Sequence, residues 1–196
     1  KRSGLRALPV VWAMAACLQT AAWAAPQVVL QENFDAITND ELPEGWTRKI
    51  EGYDGADVSN LVGTTTRAYW KVIDKPYVLA GDTYFAGVTS KIAQAYTDGI
   101  TPVGGNAKRF NTSMTTAAID ASAGANYSLS FKNFYREGST NVETGQVLVQ
   151  YDDLPPELVA EFGSNRQNTT ETLYFQAPAG AKKLKLTWEY PRPSNN

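Results

Sequence analysis

The 196-residue chain contains no histidine, and its one cysteine, Cys17, sits in an apolar leader. Neither a Ser-His-Asp nor a Cys-His nucleophile system can be assembled from such a chain. A zinc centre built on imidazole and thiolate ligands is excluded for the same reason. What remains for chemistry is carboxylates, tyrosines and, outside the leader, the three tryptophans Trp46, Trp70 and Trp188. Carboxylates and carbonyls suit a hard cation such as calcium. Aromatic faces suit the apolar faces of sugars and cations. A carboxylate pair can also run glycoside hydrolysis.

Glu32 and Asp35 flank the end of the first expected strand, and they are the candidate ligands of a structural calcium ion. The plainer reading makes both solvated loop acids, with Asp35 forming an Asx-turn. Asp54, Asp57 and Asn60 lack the EF-hand spacing and read as a polar turn, as does Asp152-Asp153. Tyr69 and Trp70 are the candidate ligand-binding residues, a platform for stacking a sugar. In a regular strand the two point to opposite faces, so one would be core and the other free. Trp46 and Trp188 fall in alternating stretches and read as core. Jelly-roll glycosidases and lyases place acids as Glu-x-Asp-x-(x)-Glu along one strand, so that all share a face. No such run occurs, and Glu51 and Asp54 have the wrong parity for it.

The elements that must position these residues read as strands. Tyr127, Leu129 and Phe131 alternate with Ser128, Ser130 and Lys132. Val147, Val149 and Tyr151 alternate with Gln146, Leu148 and Gln150. Such period-two patterns mark strands with one buried face, and with the turn chemistry of 136–141 between them they are expected to pair. Val28–Phe34, Trp46–Tyr53, Tyr69–Asp74, Asp82–Ser90, Thr172–Gln176 and Lys183–Tyr190 read as further strands. Pro156–Phe162 has room for one short helical turn at most. Many short strands separated by Gly- and Pro-bearing loops, with no helical period, mean an all-β, two-sheet antiparallel β-sandwich, best fitted by a jelly roll.

Lys1, Arg2 and Arg6, the apolar run Ala7–Leu18 and the small residues of Ala22-Trp23-Ala24 form a secretory signal peptide over residues 1–24. The competing reading is lipidation at Cys17. Removing 24 residues from 196 leaves 172, a single β-sandwich domain over 25–196. It also takes three basic residues from 18, leaving 15 against 20 acids and a net charge of −5. That balance excludes a nucleic-acid partner. The expected location is extracellular or at the cell surface, with the periplasm as the other compartment, and no membrane span in the mature chain.

Glu32-Asn33-Phe34-Asp35 followed by Leu42-Pro43-Glu44-Gly45-Trp46-Thr47 resembles the start of the cleaved-adhesin, or choice-of-anchor J, modules of secreted bacterial proteins, which are related to concanavalin A-like and MAM domains. Leu129-Ser130-Phe131, Phe134-Tyr135-Arg136 and Gly145 to Asp153 are similar to that family's central strands. Two features depart from it. Leu154-Pro155-Pro156 stands where Gly-Gly and Trp are usual, and the closing aromatic strand is missing. The resemblance implies a non-catalytic module for binding or adhesion, with a glycan or extracellular protein as partner, accessory to a catalytic or anchoring region. The alternative is a jelly-roll glycoside hydrolase or lyase using paired carboxylates. The domain is expected to lack its last strand, leaving Val28–Phe34 as an unpaired edge prone to self-association.

Overall fold

The computed structural model describes residues 27–52, 69–74, 88–95, 110–136 and 143–192. Among them the chain forms β-strands and no helix. In chain order these are β1 (Thr47–Gly52), β2 (Lys71–Ile73), β3 (Ile92–Gln94), β4 (Phe110–Thr115), β5 (Ile119–Asp120), β6 (Asn126–Tyr135), β7 (Gly145–Tyr151), β8 (Glu157–Phe162), β9 (Arg166–Gln176) and β10 (Lys183–Arg192).

One sheet runs β1-β4-β10-β7-β8, with β5 paired to the start of β10. Every pairing in it is antiparallel. The long strands β6 and β9 form a second antiparallel ribbon, and β2 with β3 a third, short one. The β6–β9 ribbon lies over β7, β8 and β10. Leu129, Phe131 and Leu173 from the ribbon pack on the buried Val147 and Phe162. Tyr127 and Phe175 pack on Val149, Tyr151, Leu184 and Leu186. The architecture is therefore an all-β antiparallel sandwich. Its core is made by the inward residues of alternating strands, as two packed sheets require.

Alternation identified the buried faces correctly. Val147, Val149 and Tyr151 are buried, as are Leu184 and Leu186. The partner of β6 differs from the expectation. β6 pairs with β9 and β7 pairs with β10 and β8, so β6 and β7 lie in opposite layers. Tyr135 at the end of β6 lies over Gly145 at the start of β7. A Cβ there would come within 3.1 Å of the Tyr135 ring, so the missing side chain is what admits the ring.

Three further differences have physical causes. Val28–Phe34 is not a strand; Val28, Val29 and Leu30 are exposed and unpaired in any sheet. Val28, Val29 and Leu30 are consecutive and Gln31, Glu32 and Asn33 follow them, so the stretch does not alternate and presents no single face to bury. Residues 157–162, expected to hold a turn, form the edge strand β8, whose register against β7 slips between Val147 and Leu148. The slip disturbs its period, as a bulge does. Near residue 90 the strand is Ile92–Gln94, whereas Val88–Ser90 is irregular. Asp54, Asp57 and Asn60 lie outside the described residues.

The short ribbon is tied in by backbone bonds. Asp40 N donates to Val72 O at 2.8 Å and Val72 N to Glu41 O at 2.9 Å. Lys71, buried, reaches the Asp40 carboxylate at 2.5 Å.

Candidate functional site

A cavity of about 690 Å³ opens beside the inward face of β6. That is within the usual range of small-ligand sites, roughly 300–1,000 Å³. Met114, Trp188 and Tyr190 of the large sheet form its floor, and Leu129 and Phe131 of β6 its roof. Its remaining walls are residues 30–34, Trp46, Trp70 and residues 88–95.

Each tryptophan is held by its element. The sequence Pro43-Glu44-Gly45-Trp46 closes a turn in which Trp46 N donates to Pro43 O at 3.0 Å. Gly45 sits at φ 75°, a region that L side chains avoid. This turn delivers Trp46 onto Trp188, to which it stacks, and sets it in an edge-to-face contact with Phe34, ring centroids 6.0 Å apart. Trp188 in turn meets Phe131 edge-on at 5.8 Å. Trp70 Nε1 donates to Thr112 O on β4 at 3.2 Å, which fixes the indole at the cavity wall.

The polar end of the cavity is made by Glu143, Arg136 and Asn133. Glu143 is buried; its carboxylate accepts from the Tyr190 hydroxyl, and its carbonyl accepts from Tyr135 Oη at 2.6 Å. Asn133 Nδ2 is buried without a hydrogen-bond partner. On the far side of the large sheet, Glu189 accepts from Asn111 Nδ2 at 2.9 Å. Burial raises the Glu189 carboxyl above its ordinary range, and the Glu51 charge adds to the effect.

The expected site residues separate. Trp70 and Glu32 border the cavity; Tyr69 and Asp35 do not. Tyr69 and Trp70 precede β2, and both are half-buried rather than one being core and one free. Arg48 lies over the Tyr69 ring at 5.6 Å and donates to Trp70 O at 3.2 Å. At the proposed calcium corner, Glu32 Oε1 accepts from Phe34 N at 2.5 Å. The Asx-type bond there is made by Asn33, whose Oδ1 accepts from Asp35 N at 3.1 Å. Among the described residues no group of three or more acidic, histidine or cysteine side chains gathers as a metal site.

Sequence reasoning placed Trp46 and Trp188 in the core, and both also border the cavity. Glu143 carried no signal in the sequence, because it lies in the connection between β6 and β7. No family model matches the chain, and no curated protein matches its sequence. Among the described residues no helix is long and apolar enough to cross a membrane.

Proposed function

We propose that this chain is a secreted, non-catalytic binding module of jelly-roll type, akin to the cleaved-adhesin modules, that takes a glycan or a segment of an extracellular protein into the cavity. One observation carries the reading: all three tryptophans outside the leader, Trp46, Trp70 and Trp188, border this one cavity. Aromatic surface concentrated around a partly polar hollow is what recognition of an amphipathic ligand uses.

The glycosidase alternative needs two carboxylates free to meet a substrate. Of the three acidic residues along the cavity lining, Glu32 is engaged by Phe34 N and Glu143 by Tyr190, while the Glu189 carboxylate turns to the far side of the sheet, where it meets Asn111. That favours binding over hydrolysis. The test is a glycan array and an extracellular-protein pull-down, followed by titration of the hits with tryptophan fluorescence as the signal. A saturable fluorescence change is expected. Hits without any such change would move the ligand off the cavity, and release of reducing ends from the bound glycan would establish the enzyme instead.

Three further proposals belong to this reading. Export with cleavage after Ala24 is tested by N-terminal sequencing, which should begin at Ala25. Structural calcium at Glu32 and Asp35 should raise the melting temperature by mass action; identical melts with millimolar calcium and with chelator would remove it. Self-association through the exposed Val28, Val29 and Leu30 should fall, by light scattering, when Val28 and Val29 are replaced by lysine.

A further inference from the structure

The outward face of the β6–β9 ribbon is a long, exposed and nearly uncharged strip. Its cross-strand rows are Asn126 with Gln176, Ser128 with Tyr174, Ser130 with Thr172 and Lys132 with Thr170. All eight side chains are exposed, and only Lys132, at one end, is charged. The outer face of the large sheet is mixed: one row carries Lys49, Ser113, Glu189, Gln146 and Glu161, and another Thr47, Thr115, Thr187, Leu148 and Leu158. In the middle of the neutral strip stands Tyr174, 78% exposed, the most open of the large hydrophobic side chains among the described residues. Thr172 Oγ1 reaches Ser130 Oγ at 3.5 Å, which pairs the two hydroxyls of that row.

We infer that this strip binds an extended, neutral polysaccharide. Four rows along a strand span about 20 Å by roughly two strand widths, a narrow track suited to a linear chain. Hydroxyl and amide side chains both donate and accept, and so do the hydroxyls of a sugar polymer. Tyr174 supplies the one flat apolar surface on which a sugar ring can rest. A protein partner is disfavoured, since stable protein interfaces need about 800 Å² a side and several aromatic or arginine anchors. A polyanion is disfavoured by the charge pattern: one lysine on the strip, and a chain of net charge −2 behind it. The inference rests on the reading of the chain as a binding module; Tyr174 and Thr172, which carry it, do not border the cavity, although Ser130 and Lys132 on the neighbouring strand do.

The test is affinity electrophoresis of the full chain in gels containing xylan, galactomannan or mixed-linkage β-glucan, with polygalacturonate as the acidic counterpart, and co-sedimentation with cellulose, chitin and starch granules. Retention by at least one neutral polymer is expected, unchanged by high salt and absent with polygalacturonate. Tyr174→Ala and Thr172→Glu should each weaken it about tenfold or more, the scale of ~1.4 kcal/mol. Both positions are exposed, so melting temperatures should not move. Retention by no neutral polymer, or retention equal in wild type and both variants, overturns the inference. A glycan that changes tryptophan fluorescence equally in wild type and Tyr174→Ala overturns it too, while leaving the cavity reading intact.

Discussion

Trp46 and Trp188 lie almost parallel, their planes 8° apart and their ring centroids 6.1 Å apart. One comes from the turn before β1 and the other from the centre of β10, so the stack fastens the entry of the chain onto the middle of the large sheet. Trp188 also holds Phe131 of the opposite layer edge-on. Trp188→Ala should therefore cost ~3–5 kcal/mol, and Trp46→Ala less. In a double-mutant cycle the pair should show a coupling of roughly 0.5–1.5 kcal/mol beyond lost area. Denaturant unfolding of the four proteins measures it, and strict additivity would mean that the rings do not interact in solution.

Gly45 makes that stack possible. Its φ is 75°, and a Cβ there would sit 3.1 Å from the Ala117 Cβ. Gly124 has nearly the same φ, 72°, but open space where its Cβ would be. Gly124→Ala should cost only the left-handed backbone penalty, ~1–2 kcal/mol. Gly45→Ala should cost that plus the contact with Ala117 and the displacement of Trp46. Thermal melts of the two variants should thus differ, with Gly45→Ala the lower. Equal melting temperatures would show that Ala117 gives way freely.

The sequence revealed which faces are buried far better than which strands pair. Val147, Val149 and Tyr151, or Leu184 and Leu186, alternate cleanly because their outward neighbours are polar or only partly covered. Nothing in that pattern names a partner, since a strand's period fixes its face and its register is set elsewhere. Hence β6 was expected beside β7 and is found opposite it. β4 escaped notice because its inward residues are Phe110, Thr112 and Met114, and the fully buried Thr112 reads as polar. The first half of β9 was hidden similarly: Glu171 points inward there and is paired with Arg166 at 3.2 Å. At the cavity, Trp70 was legible as an aromatic in a short strand-like run. Glu143 and Asn133 were not, because their roles depend on contacts between layers that no local spacing encodes.

Glu189 yields a prediction about pH. Its carboxyl is raised from an ordinary 4.5, so the folded chain holds this proton more tightly than the unfolded chain does. The stability it contributes is full below the unfolded value and is lost as pH rises through the folded one. Glu189→Gln removes the charge and keeps the acceptor for Asn111 Nδ2. It also adds a donor for Asn111 Oδ1, which is buried without a partner. The variant should gain about 1 kcal/mol at pH 7 and flatten the change in stability between pH 4 and 7. Denaturant midpoints at the two pH values test this. A variant less stable than wild type at pH 7 would show that the charge is compensated by something other than Asn111.

Asp152 closes the turn after β7 in a conformation that most residues resist. Its φ is 47°, and its carboxylate accepts from Lys183 N at 2.9 Å and from Lys182 N at 3.2 Å. Its own N–H donates to Lys183 O at 3.1 Å. The side chain thus fastens the β7–β8 turn to the start of β10, beside the buried Tyr151 and Leu184. Three substitutions separate backbone from side chain. Asp152→Gly relieves the positive φ but loses both carboxylate bonds. Asp152→Asn tolerates the φ and keeps one acceptor oxygen. Asp152→Ala loses both bonds and keeps the strain, so it should be the worst of the three, at about 2–3 kcal/mol. The expected order of melting temperature is wild type, then Asn, then Gly, then Ala. If Ala equals wild type, the carboxylate bonds contribute nothing and the turn is held by its backbone alone.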